Sequence, residues 1–468
     1  MNVAMVLEMA ADGLGDRRAV GDLTYADVRA AARGVAAHIR ERDPAVTTLA
    51  SLLPNGDHLP VALFGACWAG VSYAPLNFRL PPAAQAELLA RLEPAARFDE
   101  AWMGAPDDGQ PFVDEPERPA VLLFTSGTSA APKAAVLHHD NLAAYLFNTL
   151  EFGSAAEDEA ALVAVPPFHI AGVAAVLSST YVGRRIVPMA RFDADDWLTL
   201  AAAESISHAF VVPTMLARIV AALEADPARR PPALRSLAYG GARMPVPVLE
   251  RALELLPDVD FVNAYGLTET SSTVAVLGPA DHRAAVKSDD PAVRRRLESC
   301  GRAVPGVDFR IVEGEVWIKG DQVGGGYVGT ESQVDAEGWL HTGDQGFLDS
   351  EGYLFVLGRG DDVIIRGGEN ISPAEIEDAL MRHPTVAAAA VVGLPDVEWG
   401  EKVAAMVVLR SADEAMDEDV LREWSRRELG SIKAPEVVIV ADDLPQTPTG
   451  KVLRREVRER LLESTAGD

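Results

Sequence analysis

The sequence contains only two cysteines, Cys67 and Cys300, among 468 residues. Two cysteines cannot build a disulfide framework, and by themselves they cannot supply the ligands of a zinc cluster. A secreted scaffold that depends on disulfides is therefore excluded, and a reducing compartment is the natural expectation.

Basic residues are also scarce relative to acidic ones. The chain has 42 Lys and Arg against 70 Asp and Glu, for a formal net charge of −28. Such a surface repels nucleic acid backbones and anionic lipid headgroups, so we expect neither nucleic acid nor membrane as a partner. A site for an anionic substrate such as ATP must then concentrate its few cations locally.

Long hydrophobic runs are a third absence. No uninterrupted apolar stretch approaches the roughly 20 residues of a membrane-spanning helix, so we expect no stable membrane insertion. Residues 1–11 have no basic segment and include Glu8, which does not fit a secretory signal peptide. We therefore expect the protein in the cytoplasm.

A chain of this length is too long for one compact core, so we expect at least two domains. Between residues 160 and 265, short apolar runs alternate with helical patterns, which predicts β-α-β winding around a parallel sheet. After Glu269 the short strands and Gly-rich turns, which include residues 324–327, predict a β-rich subdomain. The expected fold class is α/β, with a small C-terminal α+β domain at the end of the chain.

Two helix starts are marked by their capping residues. Thr24 precedes an amphipathic pattern that extends to Arg42, and it is a suitable N-cap. Ser372, Pro373 and Glu375 have the order of a capping box, with serine at the N-cap, proline at N1 and glutamate at N3. We expect a helix to follow each of these caps.

Residues 121–133 combine an apolar β-type run with a loop of hydroxyls and small residues that ends in Pro132-Lys133. Such a loop can surround a polyphosphate, because small residues let backbone N–H groups approach, hydroxyls donate and lysine adds a point charge. The same composition is also typical of an ordinary Ser/Thr-rich turn. No G-K-[ST] follows, so the Walker phosphate loop is excluded and a phosphate-loop kinase is disfavoured.

Three further loops carry groups suited to a nucleotide or an acid. His169 follows a predicted strand, where ligand clefts of parallel sheets open, although a lone histidine there is more often structural. Gly240 and Gly241 end another strand and would let a flat purine or an acyl chain lie against the sheet. Tyr265 and Glu269 offer a ring for stacking and a hard oxygen ligand for Mg²⁺.

These stretches resemble, in their order along the chain, the motifs of the adenylate-forming superfamily, which includes acyl- and aryl-CoA ligases, luciferases and adenylation domains of peptide synthetases. Residues 125–133 are similar to T-S-G-T-[ST]-G-x-P-K, and residues 265–269 to Y-G-x-T-E. Residues 166–169, 342–344 and 445–451 resemble P-x-F-H, T-G-D and P-x-T-x-x-G-K. The resemblance covers nearly the whole chain and is to the acyl-/aryl-CoA synthetase branch, in its fatty-acyl-CoA ligase-like form.

The resemblance implies an N-terminal adenylation domain over residues 1–358, a hinge over 359–361 at Asp361, and a mobile C-terminal lid domain over 362–468. It implies a ligase that converts a carboxylic acid and ATP into acyl-AMP and transfers the acyl group to CoA, with Mg²⁺ as cofactor. It assigns nucleotide contacts to Thr125, Ser126, Gly127, Thr128, Lys133, Gly241, Ala242, Tyr265, Gly266, Asp344 and Arg359.

The same resemblance implies catalytic roles for four residues and makes one of them, Glu269, the Mg²⁺ ligand. Those four catalytic residues are Lys451, Thr268, Glu269 and His169. The implied acyl pocket consists of His169, Ile170, Val212, Tyr239, Gly240 and Gly266. The implied CoA contacts are Gly367, Gly368, Trp399, Arg79 and Lys433.

The pocket residues include no cation for a second carboxylate, which favours an apolar acyl or aryl acid, either a medium to long chain or a bulky ring. Two alternatives remain open. One is an acyl-AMP ligase that passes the acyl group to a carrier protein, and it would keep pyrophosphate exchange without CoA turnover. The other is a catalytically silent member that kept the fold, which a failed exchange assay over many acids would favour. A homodimer is also left open.

Overall fold

The helix and strand patterns of the sequence are present in the computed structural model, which describes residues 1–42, 44–115, 117–125, 132–329, 332–367, 369–410, 416–447 and 451–465. The α-helices of these residues are α1 (Ala4–Leu14), α2 (Tyr25–Arg42), α3 (His58–Ala69), α4 (Pro82–Ala90), α5 (His139–Thr149), α6 (Ile170–Val182), α7 (Ala194–Ala203), α8 (Pro213–Ala225), α9 (Val246–Leu255), α10 (Pro279–Lys287), α11 (Pro291–Arg294), α12 (Pro373–Met381), α13 (Glu418–Leu429) and α14 (Arg454–Thr465). The strands are β1 (Arg18–Val20), β2 (Leu23–Thr24), β3 (Thr48–Ser51), β4 (Ser72–Pro75), β5 (Ala95–Arg97), β6 (Pro119–Thr125), β7 (Lys133–His138), β8 (Ala160–Val163), β9 (Arg185–Pro188), β10 (His208–Val211), β11 (Ser236–Gly240), β12 (Asp260–Leu267), β13 (Ser272–Leu277), β14 (Arg302–Ala303), β15 (Val307–Val312), β16 (Glu315–Gly320), β17 (Gly326–Tyr327), β18 (Leu340–Leu348), β19 (Leu354–Arg359), β20 (Ile364–Arg366), β21 (Glu369–Ile371), β22 (Val386–Asp396), β23 (Gly400–Leu409) and β24 (Val437–Val440).

The predicted β-α-β winding forms a sheet in the order β14-β13-β12-β11-β10-β8-β9-β1-β2. Strands β12, β11, β10, β8, β9 and β1 are mutually parallel, and the outer strands are antiparallel. Strand β8 is buried along its whole length, as expected for a strand covered by helices on both faces. The carboxyl ends of β8, β10, β11 and β12 therefore meet at one edge of the sheet, where the candidate site lies.

A second sheet has the order β17-β7-β6-β4-β3-β5 and holds the hairpin of β6 and β7 that flanks the predicted phosphate loop. Helix α3 is buried on every side except at Ala69, which explains its uniformly apolar sequence. The predicted cap of α2 is confirmed. Asp27 N–H donates to the Thr24 hydroxyl at 3.2 Å, and Thr24 N–H donates to the Asp27 carboxylate at 2.9 Å.

The predicted β-rich subdomain is a four-stranded sheet in the order β15-β16-β18-β19. One of its predicted strands was wrong, because Gly326–Tyr327 pairs with β7 in the second large sheet. The C-terminal part contains a sheet in the order β21-β20-β23-β22, with β24 paired to β23. A single 3₁₀ turn, Gly360–Asp362, joins β19 to β20 at the expected domain boundary.

The predicted capping box at Ser372 was also wrong in its contacts. Ser372 does precede α12 and Pro373 occupies N1, but the serine side chain does not cap the helix. Its hydroxyl instead donates to the carbonyl oxygen of Leu357 at 3.2 Å, and Glu375 binds Lys433. None of the helices that the structure describes is long and apolar enough to span a bilayer.

Candidate active site

Tyr265, Asp344 and Arg359, three of the predicted nucleotide residues, lie together. Asp344 and Arg359 are opposite each other in the β18–β19 pair, and Tyr265 lies at the end of β12. The Tyr265 hydroxyl donates to Asp344 Oδ2 at 2.6 Å, and Arg359 Nε lies 3.1 Å from Asp344 Oδ1. This places a carboxylate beside an aromatic ring and a cation, an arrangement suited to a nucleoside sugar and base.

Lys451 approaches this cluster from the C-terminal part of the chain. Burial raises the pKa of the Asp344 carboxyl, whereas the charges of Arg359 and Lys451 act in the opposite direction. The main chain of Lys451 is fixed by Thr447, because each residue donates a hydrogen bond to the other, at 2.8 and 3.0 Å. The lysine that the sequence placed on a remote turn is thus brought towards the nucleotide cluster.

Glu269 is held by residues that the sequence analysis missed. The main-chain N–H groups of Gly324 and Gly325 donate to the Glu269 carbonyl at 2.9 and 3.1 Å. The phenol of Tyr327 donates to the Glu269 carboxylate, and its ring centroid lies 5.8 Å from the ammonium of Lys133. No sequence signal marked Tyr327, because its strand was assigned to the wrong sheet.

The entrance and exit of the predicted phosphate loop lie beside Tyr327. Thr125 and Lys133 are paired at the ends of β6 and β7, and the hydroxyl of Thr125 also forms a hydrogen bond with Tyr327. Ser126, Gly127 and Thr128 lie outside the described residues. Tyr327 therefore connects both ends of the loop to Glu269.

Glu269 fits a magnesium ion that is shared with phosphates. Within the described ranges there is no group of three or more His, Cys, Asp or Glu side chains that could hold a metal ion by themselves. Mg²⁺ in phosphoryl-transfer sites is commonly bound by one or two carboxylates, with phosphate oxygens completing the shell. A single carboxylate beside a lysine at a phosphate loop has this chemistry.

Gly266 and Thr268 shape the turn that presents Glu269. A Cβ atom at Gly266 would lie 1.8 Å from the carbonyl oxygen of Ser272, so only glycine fits there. Thr268 begins the 3₁₀ turn Thr268–Thr270, and the buried Thr270 hydroxyl accepts from Leu267 N–H at 2.9 Å. The sharp turn from β12 to β13 thus depends on one glycine and one buried hydroxyl.

The predicted acid pocket is partly assembled. His169 precedes α6, Ile170 begins it, and Val212 precedes α8 at the same sheet edge. Burial, assisted by the positive charge of Arg79, lowers the pKa of His169 to about 4, so its ring is neutral at neutral pH. Its buried Nε2 atom has no hydrogen-bond partner among the described residues, which is uncommon for a buried polar atom.

Strand β11 ends in the predicted Gly-Gly turn. A Cβ atom at Gly240 would lie 2.2 Å from the carbonyl oxygen of Ala264, so the two strands approach closely there. Gly241 has a φ of +81°, and the Ala242 that follows is exposed. The turn is therefore open to a ligand.

The assignment of Tyr239 to the pocket was wrong. Its side chain is fully buried in the core between the large sheet and its helices, and its hydroxyl lies 2.8 Å from His282 Nε2. Side chains alternate along a strand, so the Tyr239 side chain lies on the opposite face of the sheet from Gly240, which is itself buried. Gly240 lies at the carboxyl end of β11, and its assignment to the pocket stays a prediction.

A cavity of about 540 Å³ opens next to His169 and is lined by three arginines, Arg79, Arg191 and Arg218, which we call the arginine cleft. Phe78, which also lines it, packs edge-on against Phe168 with ring centroids 5.7 Å apart. Gln446 and Thr447 close its side towards the C-terminal domain.

Arg191 and Arg218 have no carboxylate within ion-pair distance among the residues that the structure describes. In a protein with a net charge of −28, two cations without such a partner are suited to an anionic ligand. The sequence analysis missed both, because neither belongs to a motif.

Among the predicted CoA residues that the structure describes, only Gly367 and Trp399 lie together. Lys433 is bound to both carboxylate oxygens of Glu375 at 2.7 Å, and Arg79 lines the arginine cleft. Gly367 and Trp399 pack against each other, with Gly367 N–H donating to the Trp399 carbonyl at 2.8 Å. Gly368 lies outside the described residues. These contacts leave the CoA assignments untested.

The chain matches known protein families and a characterised enzyme along most of its length. Residues 98–328 match the AMP-binding enzyme family, and residues 375–451 match the C-terminal domain of AMP-binding enzymes. The chain is 32% identical over 443 residues to 2-succinylbenzoate–CoA ligase of Bacillus cereus strain Q1, and the match covers 89% of each protein.

Two solved structures support the same comparison. The o-succinylbenzoate CoA synthetase of Bacillus subtilis, solved with its acyl-adenylate intermediate, has a TM-score of 0.83 and 28% identity, and the match covers 97% of both chains. The same enzyme with ATP and a magnesium ion has a TM-score of 0.79 and 28% identity, and the match covers 96% of this chain and 98% of that one.

Proposed function

Because this chain belongs to the adenylate-forming family of AMP-binding enzymes and is an ATP-dependent, AMP-forming acid–CoA ligase, we propose that its acid is an aryl acid with a second carboxylate. The proposal takes up the aryl alternative of the sequence analysis and adds an anionic group to it. The relative from Bacillus cereus is named for 2-succinylbenzoate, which carries two carboxylates.

The arginine cleft is the observation that carries this proposal. Arg191 and Arg218 line a cavity together with Arg79, whose charge acts on His169, and in this proposal one of them binds the second carboxylate. An arginine can bind a carboxylate with two parallel hydrogen bonds, and bonds to charged groups contribute about 1.5–3 kcal/mol each. The apolar rings of Phe78 and Phe168 provide a wall for the ring of the acid.

In the first half-reaction, an oxygen of one carboxylate attacks the α-phosphorus of ATP, and the bond from that phosphorus to the pyrophosphate oxygen breaks. Both reactants are anions, so the site must supply positive charge where the new charge develops. We assign this task to Lys451, with Lys133 at the phosphate loop and the hydroxyl of Thr268 at the α-phosphate. A Mg²⁺ ion on Glu269 would neutralise phosphate charge.

The nucleoside is held by the cluster at β18 and β19 in this proposal. The Asp344 carboxylate accepts hydrogen bonds from the ribose hydroxyls, with Arg359 beside it, and the ring of Tyr265 stacks on adenine. In the second half-reaction the CoA thiol gives its proton to water, its sulfur attacks the acyl carbonyl carbon, and the bond from that carbon to the AMP oxygen breaks, so that AMP leaves. The acceptor is taken to be free CoA, and a carrier protein in its place would leave the first half-reaction unchanged.

Acid-dependent exchange of labelled pyrophosphate into ATP, measured without CoA, tests the substrate proposal. The acids compared are 2-succinylbenzoate, 4-oxo-4-phenylbutanoate, which lacks the ring carboxylate, and 2-butanoylbenzoate, which lacks the chain carboxylate. We expect 2-succinylbenzoate to exceed both by about 10- to 100-fold in kcat/KM, the equivalent of one lost charged contact. The better of the two monoacids identifies the carboxylate that attacks.

Arg191→Met and Arg218→Met should lower kcat/KM for the diacid and leave the better monoacid unchanged. Arg229→Met is a matched control, because it removes a charge that pairs with Asp195 outside the cleft. A wild-type preference for a monoacid would contradict the proposal. A loss confined to thioester formation would assign the cleft to CoA instead.

A further inference from the structure

Arg243 and Asp378 join the two ends of the molecule. Arg243 lies in the loop between β11 and α9, and Asp378 lies in α12 of the C-terminal part. Arg243 Nη2 donates to Asp378 Oδ2 at 2.5 Å, and its Nη1 donates to the carbonyl of Ala374 at 3.2 Å. The other oxygen of Asp378 accepts from Val246 N–H at 3.3 Å.

This contact is buried on the side of Asp378, while the Arg243 side chain is 29% exposed, and it uses both oxygens of the carboxylate. Asp378 is only 5% exposed, so its ion pair with Arg243 differs from an exposed surface pair, which contributes little to stability. Removing one member of a buried, hydrogen-bonded pair leaves an uncompensated charge, and the loss is larger than for an exposed pair. The contact therefore fixes a specific arrangement of the two parts.

Asp378 also caps a helix that belongs to the other part of the chain. Val246 is the first residue of α9, and Pro245 before it has no side chain that can cap the helix. The first N–H groups of a helix need an outside acceptor, and a negative charge at this end is favoured by the helix dipole. Asp378 supplies both, so α9 gains its cap only when α12 is docked.

The same helix α12 holds the segment that carries Lys451. Glu377, the neighbour of Asp378, accepts from Arg454 Nη1 at 2.6 Å, and Arg454 also donates to the Val391 carbonyl at 2.6 Å. Arg454 follows Lys451 by three residues. A continuous set of contacts thus runs from Arg243 through α12 to Arg454, in the segment that carries the lysine.

Neighbouring charges reinforce the contact. Burial disfavours the charge on Arg243, but Asp378, in contact with it, and the nearby carboxylates of Glu377 and Glu298 outweigh burial and raise the pKa of the guanidinium. Arg243 is therefore charged throughout the working pH range, and its attraction to Asp378 persists.

We propose that Arg243 and Asp378 are positioning residues, which dock α12 on the large domain and thereby present Lys451 to the nucleotide cluster during acid activation. The proposal rests on the function assigned to Lys451 above. It predicts that the pair is needed for adenylation and not for thioester formation. In the second step no carboxylate attacks a triphosphate, so the charge of Lys451 is not required there.

Asp378→Asn tests this, because it keeps the shape and removes the charge. Pyrophosphate exchange should fall by about 10- to 100-fold, while thioester formation from supplied acyl-AMP and CoA should stay within about twofold. Hydrogen exchange of the peptide that contains Val246 should become faster, because the amide has one acceptor oxygen for two donors, Arg243 and Val246 N–H, and weaker docking of α12 exposes the N–H. Arg243→Lys should recover part of the pyrophosphate exchange activity that Arg243→Met loses.

Glu254→Gln is the control, since Glu254 lies on the same helix α9 and pairs with Arg251 at 2.7 Å on the exposed side. Equal loss in both half-reactions, or unchanged hydrogen exchange at Val246, would overturn the proposal. If Asp378→Asn does not fold, Arg243→Met provides the same comparison. Lys451→Ala, run in parallel, reports separately on the function itself, because an active Lys451→Ala would contradict that assignment and not the docking contact.

Discussion

Tyr327 and Glu269 are 58 residues apart in the chain, and the phenol of one donates to the carboxylate of the other. Tyr327 also contacts Thr125 and lies beneath Lys133 at the two ends of the phosphate loop. Carboxylates that bind a metal are oriented by partners of this kind, which therefore contribute to metal affinity.

Tyr327→Phe should therefore weaken the use of magnesium. Loss of the hydroxyl leaves Glu269 free to turn, and we expect the Mg²⁺ concentration for half-maximal exchange to rise about tenfold. Mn²⁺ binding in the presence of ATP, followed by electron paramagnetic resonance, gives a readout that does not depend on turnover. Tyr353→Phe is the control, because it removes a phenol–carboxylate bond of 2.7 Å to Asp281 elsewhere. Unchanged metal affinity would contradict this role.

Asp344→Asn should weaken ATP binding through the sugar. An amide in place of the carboxylate loses a charged acceptor, and we expect the Kd for ATP to rise by about 10- to 100-fold. The comparison with 2′-deoxy-ATP locates the contact. The wild type should bind 2′-deoxy-ATP more weakly than ATP, whereas Asp344→Asn should bind the two nucleotides equally. Isothermal titration gives the Kd of the wild type and of Asp344→Asn for ATP and for 2′-deoxy-ATP. If the losses of binding free energy from the substitution and from the missing hydroxyl add fully, Asp344 does not contact the 2′-hydroxyl.

Gly266→Ala should disrupt the turn that presents Glu269. The new Cβ would meet the Ser272 carbonyl at 1.8 Å, so the strands must separate, and we expect a destabilisation of at least about 1–3 kcal/mol. Gly278→Ala is the matched control, because no atom lies within 4 Å of the added carbon. Urea unfolding compares the two, and an equally stable Gly266→Ala would contradict the close approach of β12 and β13.

The parts of the fold that were predicted correctly have local causes. Each parallel strand between residues 160 and 265 contains a short apolar run, and the cap at Thr24 involves residues three positions apart. Both patterns can be recognised from residues that lie close together in the sequence. The motif residues Tyr265, Asp344 and Arg359 also met as the family resemblance implied.

The residues that were missed depend on contacts across long separations. Arg191 and Arg218 meet only because α8 and the loop after β9 border one cavity. Tyr239 and Gly240 are neighbours in sequence, yet the period of a strand sends the tyrosine side chain into the core. No local pattern distinguishes these outcomes.

His169 should contribute to a loss of stability in acid. Its pKa of about 4 in the folded state lies below the value of about 6.5 in an unfolded chain. Between these values the unfolded state binds a proton that the folded state does not, so stability is present above pH 6.5 and declines towards pH 4.

His169→Asn should reduce this decline. From pH 7 to pH 5 we expect the free energy of unfolding of the wild type to fall by about 1–2 kcal/mol more than that of the variant. Urea unfolding at both pH values measures the difference. Parallel declines in the two proteins would show that His169 is not the group responsible.

Lys451 is the central residue of the proposed adenylation step, and separate assays of the two half-reactions for Lys451→Ala test its role most directly. Arg455→Ala, which removes an exposed charge from the same segment, is the control. We predict that Lys451→Ala loses acid-dependent pyrophosphate exchange by at least about 100-fold and still forms thioester from supplied acyl-AMP and CoA. Exchange at the wild-type rate, or equal loss in both half-reactions, would contradict the account.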